Sequence, residues 1–154
     1  MKLKSIQLAA WAMILAVSLS SCDELNIGNA SMKADINNDS WNSITRVCLM
    51  EDNSISLTGI DTQGRTIILT VLGTGTGKYI LNPFTVQFDT EAVYKSSDLS
   101  SLDEAWIAYS GEVNISEVNS EAQVISGDFE FNLLNQAGDT VKIRNGIFED
   151  VKFN

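Results

Sequence analysis

The stretch ISGDFEFNL, residues 125–133, decides the fold. Its glycine and large apolar residues alternate with polar ones, so an extended chain would carry one apolar and one polar face: Gly127, Phe129, Phe131 and Leu133 against Asp128, Glu130 and Asn132. A period of two is typical of a strand that buries one face and shows the other to water. The stretch therefore predicts a half-buried antiparallel strand from Gln123 to Leu133.

The same period of two recurs along most of the chain. Residues Met32 to Ile36 alternate, and Asn37-Asn38-Asp39-Ser40 then supplies a hairpin turn before Trp41. Further strands are predicted at Ile44–Met50, Ser54–Ile60, Arg65–Leu72, Tyr79–Leu81, Ala92–Tyr94, Ala105–Ser110, Glu112–Ser116 and Thr140–Arg144. Roughly nine to ten strands with almost no helical period predict an all-β fold, either an antiparallel β-sandwich or a flattened β-barrel.

Three segments leave their local structure open. Asn145-Gly146 either closes a type I′ hairpin or forms a glycine bulge in one long final strand that ends at Phe153. Residues 96–104 fit a surface loop, with one serine-capped helical turn as the alternative. Residues 84–88, which follow Pro83, could form a further extended run.

The N-terminus has the layout of a secretory leader. Lys2 and Lys4 precede an apolar run over residues 8–17, which is short for a membrane span, and Leu19-Ser20-Ser21-Cys22 follows. This box resembles the bacterial lipoprotein signal, in which the leader is cut just before a lipidated cysteine. It predicts a signal peptide over residues 1–21, lipid on Cys22, a tether over residues 22–30 and one all-β domain over residues 31–154. An ordinary cleaved signal and an uncleaved anchor are the alternatives.

Lipidation would leave the second cysteine, Cys48, without a disulfide partner. The alternative is a disulfide between Cys22 and Cys48 in a soluble secreted protein. Since Val47 and Leu49 flank Cys48, we expect a buried structural thiol rather than a reactive one.

The charge of the mature chain limits its partners. All 20 acidic residues follow Cys22, whereas two of the ten basic residues lie in the leader, so the mature chain would carry twelve net negative charges. Such a surface disfavours nucleic-acid binding and electrostatic attachment to anionic lipid. We therefore expect membrane attachment through the lipid, at the cell envelope, as an outer-membrane lipoprotein that faces the periplasm or the cell surface.

The sequence contains no histidine. This removes the Ser-His-Asp and Cys-His nucleophile systems and the commonest zinc or copper ligand. The catalytic arrangements that remain are a carboxylate pair of the glycosidase type and a serine–lysine pair. The sequence shows no recognisable spacing for either. We expect no enzymatic activity, no cofactor and no metal.

Two segments resemble ligand-binding motifs but lack residues that those motifs require. Residues 73–78 (GTGTGK) resemble a phosphate-binding loop, but Leu72 and Tyr79 stand where the Walker pattern requires a glycine and a hydroxyl residue. Residues 35–39 copy the first ligands of an EF-hand loop, but Arg46 stands where the bidentate glutamate is required. We expect a loop and a hairpin turn at these two places.

Trp41, Trp106 and Tyr109 are the candidate ligand-stacking residues, because flat aromatic faces match the C–H faces of sugar rings. Trp106 and Tyr109 are three residues apart, so a strand would point them to opposite faces and place one of them in the core.

Turn and strand motifs stand at residues 32–41 (MKADINNDSW), 79–81 (YIL), 111–116 (GEVNIS), 125–131 (ISGDFEF) and 143–148 (IRNGIF). Together they resemble a family of small uncharacterised all-β lipoproteins from Bacteroidetes. The resemblance covers nearly the whole mature chain and implies an envelope location without catalytic residues. Asp139-Thr140-Val141 also resembles the short O-glycosylation sequon of that phylum, which makes Thr140 a candidate modification site, with a strand start as the alternative.

Three functions follow as hypotheses. The first is a membrane-tethered module that binds a glycan, a small ligand or an envelope protein, and an exposed aromatic or apolar patch would favour it. The second is a glycan hydrolase with two converging carboxylates. The third is an inhibitor of an envelope or host hydrolase, which would insert a protruding loop formed by residues 73–78 or 96–104.

Overall fold

The computed structural model describes residues 31–84, 89–96 and 105–154. Within these ranges it contains no helix and ten strands: β1 (Ser31–Ile36), β2 (Asp39–Asn42), β3 (Thr45–Glu51), β4 (Ser54–Ile60), β5 (Thr66–Val71), β6 (Gly77–Leu81), β7 (Thr90–Lys95), β8 (Ala105–Asn119), β9 (Val124–Leu134) and β10 (Thr140–Lys152). The predicted all-β class is confirmed.

The ten strands form one antiparallel sheet. Its order is β2-β1-β10-β9-β8-β7-β5-β4-β3, and β6 pairs with β8 beside β7. The sheet curls until β4 faces β1 and β2, since a Cβ on Gly59 would lie 2.6 Å from the ring of Trp41 and 2.7 Å from the sulfur of Met32. The architecture is a half-barrel, in agreement with the predicted antiparallel fold of nine to ten strands.

The end of β10 meets β3 across the curl. Cys48 pairs with Phe153 in a single parallel bridge, and the amide of Met50 donates to the carbonyl of Asn154 over 3.2 Å. This contact joins the last residues of the chain to the strand at the far edge of the sheet order.

Residues 125–133 lie in β9, and their apolar side chains form the centre of the core. Gly127, Phe129, Phe131 and Leu133 are buried, while Asp128 and Glu130 are exposed. Side chains from the other strands complete the interior, and the largest fully buried ones are Trp41, Phe131, Phe148 and Met32. The predicted half-buried strand is confirmed.

Three glycines allow the central strands to bend. Each pairs with a phenylalanine of the neighbouring strand: Gly111 with Phe131, Gly127 with Phe148 and Gly146 with Phe129. A Cβ on Gly111 would lie 2.4 Å from the ring of Phe131 and 2.2 Å from the backbone oxygen of Glu130. Because glycine has no side chain, the ring can lie across the neighbouring backbone and fill the inside of the curl.

The Asn145-Gly146 pair forms a bulge, which settles one of the open alternatives. The pairing of β10 with β9 shifts between Ile143 and Gly146, Asn145 has a φ of 51°, and the strand continues to Lys152. The final strand is therefore a single long one, as the bulge interpretation predicts.

Several predicted boundaries differ from the structure by one or two residues, as at β6, which begins at Gly77 within the predicted loop, and two predictions differ more. The sequence predicts separate strands over residues 105–110 and 112–116, but β8 is one strand that passes through Gly111 with register shifts on either side. The first hairpin turns on Asn37 and Asn38 alone, with φ values of 50° and 72°, so Asp39 and Ser40 already belong to β2. Two residues with positive φ are what a two-residue hairpin requires.

Several predictions concern residues that the structure does not describe. The signal peptide, Cys22 and the tether lie outside the described residues, as do residues 85–88 and 97–104 of the two uncertain middle segments. In the described part of the chain, no helix has the length and apolar character needed to cross a membrane.

Candidate functional site

The cross-strand registers place six outward side chains in one row, called here the outer apolar row. It consists of Val47 on β3, Thr58 on β4, Ile68 on β5, Val93 on β7, Ile107 on β8 and Leu134 on β9. Solvent reaches 47% of Val47, 61% of Ile107 and 41% of Leu134, and the members between Val47 and Ile107 are half-buried. Five of the six are aliphatic, so the row forms an apolar line across the outside of the sheet.

The residues beside this row on β3, β4 and β5 are also uncharged. They are Thr45, Leu49, Ser56, Ile60 and Thr70, and with the row they form what we call the uncharged face. Charged residues border it: Glu91 and Lys95 flank Val93 on β7, and Glu51 ends β3. Neither β4 nor β5 contains a charged residue anywhere along its length. Arg46, the second residue of β3, has the opposite parity to the outward residues Thr45 and Val47. Its guanidinium donates to the carbonyl of Ser43 over 2.8 Å.

Exposed apolar side chains are concentrated on this part of the surface. Among the described residues, six of the nine large hydrophobic side chains that are exposed lie on the uncharged face or at its border: Ile44, Val47, Leu49, Ile107, Tyr109 and Leu134. Single exposed apolar residues are normal on a protein surface, whereas a contiguous patch marks an interaction site. The uncharged face is therefore the candidate functional site.

Charged and amide side chains lie on the outer surface of β6, of the second half of β8 and of β9 from Asp128 to Asn132. The Nζ of Lys78 lies 2.6 Å from Oε1 of Glu112, and the amide nitrogen of Asn114 donates to Asp128 over 2.9 Å. The hydrogen bond to Glu112 and then its charge raise the pKa of Lys78, and the carboxylates of Asp128 and Glu130 add to the effect. The two parts of the outer surface thus offer different chemistry to a partner.

A hydrogen-bonded arginine fixes the hairpin of β1 and β2 against the turn between β4 and β5. The Nε of Arg65 donates to the buried carboxylate of Asp61 over 2.7 Å, and its other nitrogens reach Asp39 and the carbonyl of Ser40. Burial lowers the pKa of Arg65, but its hydrogen bonds to Asp61 and Asp39 outweigh that effect and raise it. The indole nitrogen of Trp41 donates to the carbonyl of Arg65 over 3.1 Å. All these groups are paired, so the cluster is structural.

The structure does not bring the three predicted stacking residues together. Trp41 is wrongly predicted as a ligand-stacking residue: it has 0% exposure because the sheet curls over it. Trp106 packs against the core in a tilted pair with Tyr94, with ring centroids 5.6 Å apart, whereas Tyr109 is 40% exposed. The prediction that Trp106 and Tyr109 point to opposite faces is confirmed. A flat aromatic platform built from these three residues does not form.

Thr140, the candidate modification residue, is exposed and is the first residue of β10. Its position also fits the alternative of a strand start.

A family model described as a domain of unknown function, DUF6252, matches residues 28–152. The chain belongs to this family. No curated protein and no solved structure gives a match. The matched region ends at the last residue of β10, so the DUF6252 domain takes in all ten strands and the whole uncharged face.

Among the described residues of the DUF6252 domain, one pair of acidic residues is directly opposed across two strands. Glu112 of β8 lies opposite Glu130 of β9, and such pairs have Cβ atoms about 4.5–5.5 Å apart. Glu130 is exposed, and Glu112 is already paired with Lys78. A catalytic acid needs surroundings that raise its pKa, usually burial in a cleft. The open sheet face and the lysine favour an ion pair rather than a hydrolase site.

Cys48 is buried in the domain, as predicted. Its side chain is 1% exposed, and burial raises the pKa of the thiol to about 11. Because the thiolate is the reactive form, a thiol that stays protonated at neutral pH is a poor nucleophile. Cys48 is therefore a structural residue of the hydrophobic core.

The uncharged face was missed because its residues come from six strands that are separate in the sequence. One signal could have indicated it: Ile67-Ile68-Leu69 breaks the alternation and makes β5 apolar on both faces. In an antiparallel sheet with one solvated face, a strand of this kind is covered on both sides.

Proposed function

We propose that this domain is the binding module of an envelope lipoprotein from the Bacteroidetes, tethered by lipid on Cys22, and that it docks a protein through its uncharged face. The leader and the lipoprotein box support the tether, and the resemblance noted in the sequence supports the source. One observation carries the docking function: most of the exposed large apolar side chains among the described residues lie on or beside one sheet face, whose strands β4 and β5 contain no charged residue.

The chemistry of this face fits a protein better than a glycan. Its side chains are aliphatic or carry short hydroxyls, whereas sugar sites rely on flat aromatic faces and converging polar groups. The core of a protein interface, in contrast, is apolar and depleted in charged residues. An envelope protein is therefore the preferred partner class.

The lipid anchor can be tested in cells that express the full chain and are fed a labelled lipid precursor. We expect the chain to incorporate the label, and Cys22→Ala to remove it because the acceptor thiol is lost. Cys48→Ala is the matched control and should keep the label, since that thiol is buried. Undiminished labelling of Cys22→Ala would contradict the lipoprotein assignment.

The docking function can be tested with a photo-crosslinking amino acid placed at Ile107 of the full chain. Irradiation of whole cells should give discrete protein adducts at this position, because a docked partner lies within reach of the probe. The matched control places the probe at Lys142, which is exposed on β10 outside the uncharged face and should give little product. The same adducts from both positions, or none from Ile107, would overturn the proposal.

A further inference from the structure

We propose that the protein docked on the uncharged face is basic where it meets one end of this face, and that its Lys or Arg side chains contact carboxylates there. The inference rests on the proposed function, because it takes the uncharged face as the docking surface and names the chemistry of the partner. Four exposed acidic residues beside two exposed leucines carry it, and we call this group the acidic end: Glu51, Asp52, Asp89 and Glu91 with Leu49 and Leu72.

The cross-strand registers bring the residues of the acidic end together. Glu51 is the last residue of β3. Leu72 follows β5, and its amide donates to the carbonyl of Asp89 over 2.9 Å. Leu49 and Glu91 lie in one cross-strand row, which is the row next to the outer apolar row. A partner that covers the outer apolar row therefore also reaches the acidic end.

The four carboxylates of the acidic end are not compensated by the domain. In the part of the chain that the structure describes, none of them forms an ion pair or accepts a hydrogen bond. On the charged surface, in contrast, Glu112 pairs with Lys78, and Asp128 accepts a hydrogen bond from Asn114. The acidic end thus keeps negative charge that attracts a cationic partner.

An open groove of about 560 Å³ lies at the acidic end. Its walls are Glu51, Asp52, Asn53, Ser54 and Leu72. A Lys or Arg side chain carries a cationic head on an aliphatic stem, so it matches an apolar wall beside carboxylates. The stem would lie on Leu72, which is 53% exposed, and the head would reach the carboxylates of Glu51 and Asp52.

The spacing of the carboxylates favours several cationic side chains over a single ion. Three strand spacings separate Glu51 from Asp89, or about 14 Å. Among the described residues, no cluster of potential ligands could hold a metal ion. A protein can present two or more cations at such a distance beside apolar side chains, whereas one metal ion or one small amine cannot.

The opposite end of the face does not offer the same charge. There Lys95 is 5% exposed, and Arg65 is paired with Asp61. The complementary partner surface is therefore apolar along its length and basic at one end. A nucleic acid or an anionic membrane surface would be repelled by the carboxylates that attract such a protein.

The test places the photo-crosslinking amino acid at Leu72 of the full chain in whole cells. We expect discrete protein adducts, because the groove belongs to the contact. The double variant Glu51→Lys and Glu91→Lys should reduce these adducts about tenfold or more, since like charges then oppose each other. Glu51→Gln with Glu91→Gln removes the charges without reversing them and should give an intermediate reduction.

The matched control is Glu117→Lys with Glu130→Lys, which makes the same change in net charge at two exposed residues outside the uncharged face. It should leave the adducts unchanged. Adducts that fall with the reversal at the acidic end and survive this control support a basic partner.

The failure of this inference can be told from failure of the docking function. Adducts at Leu72 that the reversal does not reduce, or that the control reduces equally, overturn the basic partner and leave the docking function standing. Adducts at Ile107 without any at Leu72 do the same. An adduct with twice the monomer mass also overturns the inference, because a second copy brings the same carboxylates. If neither position gives an adduct, both proposals fail.

Discussion

Replacing Trp41 with alanine is expected to lower the free energy of unfolding by about 3–5 kcal/mol, the range for large aromatic residues in cores. Trp41 is fully buried, and its ring lies where the curled sheet brings β2 against Gly59 of β4. The substitution also leaves the carbonyl of Arg65 without the indole donor. A loss of this size is a large share of the 5–15 kcal/mol typical of a domain, so the variant should unfold at a much lower urea concentration than the unchanged chain.

Urea denaturation followed by circular dichroism measures this effect. The matched control is Ile107→Ala, which removes an exposed side chain and should change the stability by no more than about 0.5 kcal/mol. Equal losses in the two variants would show that Trp41 does not hold the curled sheet together.

The second large effect is expected for Gly111→Ala, which should cost about 2–6 kcal/mol when backbone strain and overpacking are both counted. Gly111 has a φ of 147°, a conformation that L side chains rarely adopt. The added methyl group would lie 2.2 Å from the carbonyl oxygen of Glu130, and backbone cannot move away as a flexible side chain can. The pairing of β8 with β9 should loosen at the bend.

Gly75→Ala is the matched control for this variant, since no heavy atom lies within 4 Å of the added Cβ. We expect it to unfold at nearly the same urea concentration as the unchanged chain. Hydrogen exchange should in addition show faster exchange around Phe131 in Gly111→Ala. Unchanged stability and exchange in that variant would contradict the role assigned to the pairs of glycine and phenylalanine.

Local alternation made most of the strands predictable. Residues 125–133 carry the full pattern because β9 has the core on one side and water on the other. The same pattern could not decide Asn145-Gly146, since a type I′ turn and a glycine bulge both need positive φ at this point. The choice depends on β9, which pairs with β10 on both sides of the bulge and keeps the chain extended.

The candidate site was much less predictable than the strands. The alternation of polar and apolar residues predicts on which face of its strand Ile107 lies. It does not predict that Val93 and Leu134 are the cross-strand neighbours of Ile107. Those contacts depend on the order of strands in the sheet. Trp41 was misassigned for the same reason: its burial comes from β4, which alternation within β2 cannot reveal.

The central claim is that the uncharged face is covered in the cell, and the most direct measurement is the accessibility of single cysteines placed on it. Full-length chains with Ile107→Cys or Lys142→Cys are labelled with a maleimide in intact cells and again as dilute purified protein. We predict that labelling of Ile107→Cys, relative to Lys142→Cys, is slower by about tenfold in cells than in dilute solution, because a bound partner excludes the reagent. The same relative labelling in cells and in solution would contradict the claim.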